Sequence, residues 1–232
     1  MNSSTSTDEA PLRVFPRRRL LRDTAMLAGG AVATGAVYPA NALAAGVVPE
    51  RVAAWLDLVA QGTPVALDSY EPVALRPAEL ETLKGALARL IPADDLGPGA
   101  VEAGVFVFID RSLAGPNADT LPLYQAGLAA LDAAAGADGF TALAAERQDE
   151  LLTQAEAGEL ADVPDGFFAL LLEHTRQGMF GDPIHGGNRD FAGWDLIGYP
   201  GIKLIWTSEE QKVNTIVEPE HISVAEFGGQ AS

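Results

Sequence analysis

The sequence predicts an all-α fold, an irregular bundle of about six helices carrying a long glycine-rich loop and an extended carboxy-terminal arm. Three observations lead there. Leucines and phenylalanines recur at three- and four-residue spacing in segment after segment, each bounded by proline or glycine. No sustained apolar–polar alternation and no internal repeat competes with that pattern. From Gly178 to Gly201 the texture changes to seven glycines and two prolines in twenty-four residues, a length of loop that is uncommon without a function.

Taken in order, the chain opens on a targeting pattern. Arg17 and Arg18 begin the run RRRLLR, thirteen small or apolar residues follow from Ala25 to Val37, and an A-x-A site stands at Ala42-Leu43-Ala44. Residues 1–44 therefore read as a twin-arginine export signal, which uses a translocon that carries proteins already folded. The apolar run falls short of the roughly 20 residues of a spanning helix. No anchor is expected once the signal is cleaved.

Beyond the signal, residues 45–201 are expected to form one helical domain and residues 202–232 the arm. Arg51 to Gln61 predicts a short helix, and Pro64 to Pro77 a polar linker. Pro77 suits a first helical position, Glu79 and Glu81 favour the amino end of a helix dipole, and Leu80, Leu83, Leu87 and Leu90 share one face until Pro92 stops the run. Gly97-Pro98-Gly99 is a turn. Ala100 to Leu113 is apolar almost all round, as in a central helix. Its β-forming stretch Val105–Ile109 also admits a buried strand, but the flanking Glu102-Ala103 and Arg111-Ser112-Leu113 favour the helix. Leu121 to Ala135 ends at Gly136, Glu146 to Ala157 carries Leu151 and Leu152 in a charged frame, and Pro164 to Gln177 ends at Gly178. In the tail, Lys203, Leu204, Ile205, Trp206, Val213, Ile216, Val217 and Ile222 show no helical spacing and suit an extended arm.

Composition narrows the function. The net charge is −17; removal of residues 1–44, with five arginines against three carboxylates, takes it to −19. Such a surface repels phosphate backbones and anionic lipid heads. With no cysteine, thiolate-zinc sites, iron–sulfur clusters and covalent haem attachment are excluded in this chain. The three histidines, His174, His185 and His221, have no compact ligand spacing. His174 is expected as a hydrogen-bonded core or cap residue and His185 in a turn. Neither a dinucleotide nor a triphosphate glycine motif is present, and no serine lies in a G-x-S-x-G frame. The carboxylate pairs Asp94/Asp95 and Asp162/Asp165 read as solvated helix ends. No catalytic, metal or cofactor-binding residue is assigned.

What remains is a polar-aromatic set: Asp182, His185, Asn188, Arg189, Asp190, Phe191, Trp194, Tyr199 and Trp206. Aromatic residues and arginine dominate binding hot spots because they bury much area at low entropic cost. A self-packed loop, with Trp194 plugging its own core, is the competing reading.

The strings L-I-P-A-D (Leu90–Asp94), G-P-G-A-V-E-A-G-V (Gly97–Val105), F-I-D (Phe108–Asp110) and G-x-F-x-D-P-x-x-G-G-N-R-D-x-x-G-W-x-x-I-G-x-P-G (Gly178–Gly201) together resemble the gluconate 2-dehydrogenase subunit 3 family. The resemblance implies a small subunit of a membrane-associated sugar or polyol dehydrogenase complex. There a flavoprotein of the glucose-methanol-choline type oxidises the substrate on FAD, and a multihaem cytochrome c, carrying haem c, takes the electrons. It also implies that the small subunit supplies the export signal for a catalytic subunit that has none, and helps it mature. Asp182, Asn188, Arg189, Asp190, Phe191, Trp194, Tyr199 and Trp206 are then the expected partner contacts, and Arg17 and Arg18 the export signal. His185 and Asp195 stand where such motifs are often aromatic and basic, and take no assigned role. The alternatives are a self-contained periplasmic enzyme or ligand-binding protein built on Asp182, His185, Arg189 and Asp190, and a structural envelope protein.

Overall fold

The leucine face that begins at Leu80 becomes α1, Pro77–Leu90. Pro77 opens it, and the Arg76 backbone N–H donates to Glu79 Oε2 at 2.8 Å, which satisfies one of the donors exposed at a helix start. Leu83, Ala86 and Leu87 lose all contact with solvent. Each such leucine contributes about 1.5–3 kcal/mol on burial. The computed structural model describes residues 66–202, 206–212 and 219–224. The signal with Arg17 and Arg18, the segment Arg51–Gln61, and Lys203, Leu204, Ile205, Val213, Ile216 and Val217 lie outside the described residues.

Five more α-helices follow: α2 Val105–Ala114, α3 Leu121–Ala135, α4 Ala145–Ala157, α5 Phe167–Phe180 and α6 Ala192–Ile197. No strand is present among the described residues, only an isolated bridge between Asp94 and Gly97. The all-α expectation holds, with α2 the central helix: Val105, Phe106, Val107 and Ile109 are buried, and α2 packs on both α1 and α5.

Two helix starts differ from the sequence expectation, and glycine explains both. The run expected from Ala100 becomes helical only at Val105, because Gly104 takes φ +73°, a left-handed conformation that interrupts a right-handed helix. The run expected from Pro164 starts at Phe167 behind Gly166, φ +84°. The same helix passes through Gly178, its expected stop, and ends at Phe180. Gly178 serves packing instead: a Cβ there would lie 2.8 Å from Phe108 Cδ1 and 2.9 Å from Val105 Cγ1.

Several polar groups inside the bundle are paired, as burial requires, whereas Arg111 Nε and Arg176 Nε are buried without a hydrogen-bond partner among the described residues. Arg89 forks onto Asp149 at 2.7 and 2.9 Å and ties α1 to α4. Tyr124 and His174 meet at 3.0 Å between α3 and α5, so His174 is the hydrogen-bonded core residue expected. Asp110 of the F-I-D string is fully buried. Its Oδ2 accepts from the Tyr70 hydroxyl (2.6 Å) and the Val73 amide (2.7 Å), and its Oδ1 from the amides of Ala74 (3.1 Å) and Leu75 (2.8 Å). One carboxylate thereby pins the linker before α1 to the central helix. Burial, reinforced by Asp110, pushes the Tyr70 hydroxyl pKa far up, so it stays a donor.

The glycine-rich segment is not one open loop. It folds into two 3-10 turns, Pro183–His185 and Arg189–Phe191, and then α6. A six-residue helix is too short for periodicity to reveal; it is recognisable here by its buried Ala192, Gly193 and Trp194 and by Gly198 (φ +65°) at its end.

Candidate functional site

The segment 181–201 is built on close backbone approach to the last turn of α5. A Cβ on Gly187 would lie 2.2 Å from the Gly178 carbonyl oxygen, and one on Gly193 would lie 1.7 Å from that of Met179. Only glycine allows such contact. Asn188, completely buried, bridges the two layers: its Nδ2 donates to the Gly181 carbonyl at 2.8 Å, and its Oδ1 accepts from the Gly193 amide at 2.8 Å. The Arg189 amide then donates to the Ala103 carbonyl at 3.0 Å, joining the segment to the turn before α2.

This folding strains the chain locally. Asn188, Asp190 and Phe191 hold φ of +48°, +54° and +60°. Asn and Asp tolerate the left-handed region, whereas an ordinary side chain there costs about 1–2 kcal/mol. Contacts offset the cost at Phe191, whose ring lies 5.3 Å from Trp194 and stacks at 4.8 Å on His221. Trp194 points inward, 4 % exposed, with its indole N–H donating to the Phe180 carbonyl at 2.9 Å and Tyr199 against its edge at 4.9 Å.

The described part of the arm at 219–224 returns onto this segment. The Glu220 amide donates to the Pro200 carbonyl (2.9 Å) and the Ile202 amide to the Ile222 carbonyl (3.1 Å). His221 Nε2 meets Asp195 Oδ1 at 2.6 Å. Asp182 uses both oxygens: Oδ1 accepts from the Ile184 amide (3.0 Å) and Oδ2 from the Val224 amide (2.8 Å). The arm thus has its own chain to lie on at these residues.

The expected partner contacts therefore divide. Asn188 and Trp194 are interior, and Asp182 and Phe191 are engaged with the arm. Asp190, Tyr199 and Trp206 face solvent, the last two 39 % and 42 % exposed, and Arg189 is half-buried with Nε 3.5 Å from Asp190 Oδ2. His185 closes the first 3-10 turn, as expected, and burial pushes its pKa down. Among the described residues no group of three or more His, Asp or Glu side chains is placed to hold a metal ion. The sequence reading gives His221 and Asp195 no role and does not single out Val224. No local signal marks them, because each acts across a gap in sequence.

The family model for gluconate 2-dehydrogenase subunit 3 matches residues 77–201, more than half of the chain, from the first residue of α1 to the last glycine of the segment just described. The chain belongs to that family. No curated protein and no solved structure is significantly similar to it. Membership of the gluconate 2-dehydrogenase subunit 3 family gives the chain the setting of a dehydrogenase complex. The stretch shared with the family contains the bundle, Asp110 and the glycine-mediated contacts, while residues 70–75, which Asp110 holds, and the returning arm lie outside it. No helix among the described residues is long and apolar enough to cross a membrane.

Proposed function

We propose that this chain is the non-catalytic small subunit of a membrane-associated FAD-dependent sugar or polyol dehydrogenase complex. It binds the flavoprotein catalytic subunit, of the glucose-methanol-choline type, assists its maturation and takes it through the twin-arginine translocon to the periplasmic side of the membrane. FAD belongs to the flavoprotein, and haem c to a multihaem cytochrome partner. The observation that carries this reading is the family match over 77–201. Two features support it. The Arg17-Arg18 signal suits a folded cargo, and the side chains of Asp182 and Asn188 in the glycine-rich segment are committed to holding backbone. Asp182, one of the four residues on which a self-contained active site would draw, spends both oxygens on backbone amides.

In this reading Asn188, Trp194, Phe191 and Asp182 shape the face, and Arg189, Asp190, Tyr199 and Trp206 meet the partner. A pair that survives transport needs nanomolar affinity, about 12 kcal/mol, and an interface of roughly 2,000 Å². The test is to tag the full chain in cells that also make the flavoprotein and record the absorption spectrum of the purified material. Flavin bands from a co-purifying larger subunit are expected. A colourless single species, or sugar oxidation by this chain alone, would overturn the reading.

A further inference from the structure

The turn between α1 and α2 presents an exposed leucine. Of the large apolar residues that stand exposed among those described, Leu96 lies on the Asp94–Gly97 turn, where it lines a groove against α6. Leu96 is 65 % exposed, and its exposure is built in. The turn is closed by the Asp94 amide on the Gly97 carbonyl (3.1 Å) and the Gly97 amide on the Asp94 carbonyl (3.0 Å), and Asp94 Oδ1 accepts from the Leu96 amide (2.8 Å). These three bonds fix the backbone that presents Leu96, so binding has little freedom of the turn left to remove.

Between this turn and α6 runs an open groove of about 340 Å³, with Leu96, Pro98 and Leu196 as its apolar walls. Its charged lining is Glu102, Asp190 and Asp195 against the guanidinium of Arg189. That guanidinium lies beside Asp190, so the groove keeps an excess of carboxylate. A second copy of this chain is a poor occupant, since each carries a net charge of −17; an anionic lipid surface is repelled for the same reason.

Resting on the reading proposed above, we infer that this groove docks a segment of the flavoprotein in which a lysine or arginine is flanked by apolar side chains. The apolar neighbours cover Leu96 and Leu196, and the cation answers Glu102, Asp190 and Asp195. Charged rims of this kind act on association rate and salt dependence more than on the dissociation of the buried centre. Leu96 and the carboxylates therefore contribute separable effects.

The experiment uses the flavoprotein recovered with the wild-type full chain and measures its dissociation constant against ionic strength from about 0.05 to 0.5 M. Two variants are compared. Leu96→Lys changes an exposed side chain of the turn. The pair Asp190→Asn with Asp195→Asn keeps a residue tolerant of the left-handed region at 190 and an acceptor for His221. Leu96→Lys is expected to weaken binding about tenfold or more at every salt concentration, and the double variant to flatten the salt dependence. Should Leu96→Lys fail to fold, judged by its thermal melt, the double variant decides alone. Unchanged affinity and salt slope in folded variants overturn the groove and leave the flavoprotein reading standing. Failure of the wild-type chain to bring down any flavoprotein overturns both.

Discussion

A methyl group on Gly193 would sit 1.7 Å from the carbonyl oxygen of Met179, so the start of α6 rests directly on the backbone of α5. Gly193→Ala has no side-chain rotamer to yield and must separate the two helices. It is expected to cost about 3 kcal/mol or more. The comparison is Gly158→Ala, where a Cβ meets open space but φ is +69°, for which about 1 kcal/mol is expected. Chemical denaturation of the two variants measures the difference, and equal losses would refute the close-approach account.

Asn188 makes a second, separable prediction. Asn188→Ala leaves the Gly181 carbonyl and the Gly193 amide without their side-chain partner in a dry setting, at about 2–4 kcal/mol for the two. Asn188→Asp is expected to be no milder, since an oxygen would then face the Gly181 carbonyl where an amide now donates. Both variants should lose the near-ultraviolet signal of Trp194 before the helical signal of the bundle. Loss of both signals together would mean that the segment and the bundle unfold as one.

The buried histidines set a pH dependence. Burial lowers the pKa of His174 and of His185 below their ordinary value, so the unfolded chain binds more protons than the folded one. Their contribution to stability is complete above about pH 6.5 and is lost as the pH falls below it. His174→Asn removes one titrating group while keeping a partner for Tyr124. The slope of unfolding free energy between about pH 6.5 and 5 should become shallower in this variant; an unaltered slope would exclude His174 as a contributor.

His221 holds the returning arm through a ring stack on Phe191 and a bond to Asp195. Because the pair is exposed, His221→Ala should change global stability by about 1 kcal/mol or less. Locally the effect should be larger: the Ile202 amide, which donates to Ile222, is expected to exchange its proton faster. Undiminished protection at Ile202 would show that the arm is held elsewhere.

Export gives the remaining test. Lysine at both Arg17 and Arg18 should leave this chain and the flavoprotein together in the cytoplasm, as judged by fractionation and flavin content. Arrival of the flavoprotein on the periplasmic side regardless would remove the carrier role.

Much of the bundle was legible beforehand because a helix is written locally. Leu80, Leu83, Leu87 and Leu90 mark a face by spacing alone, and Pro92 and Gly136 end runs by backbone chemistry that needs no distant partner. The family resemblance and the density of glycine after Gly178 were also legible in the sequence. Whether a given glycine turns the chain or admits another backbone was not. Gly166 and Gly178 look alike in sequence, yet one starts α5 and the other lies inside it against Phe108 and Val105.

The sequence by itself determined the all-α class, the positions of most helices and the net negative charge, since each depends on neighbours or on sums. Tertiary structure alone decided that Trp194 turns inward, that Asp110 cages residues 70–75, and that the arm returns to its own chain. Those outcomes rest on contacts such as Asp195 with His221 and Asp182 with Val224, 26 and 42 residues apart. Contact over such separations is set by the path of the backbone between them, and no spacing rule encodes that path.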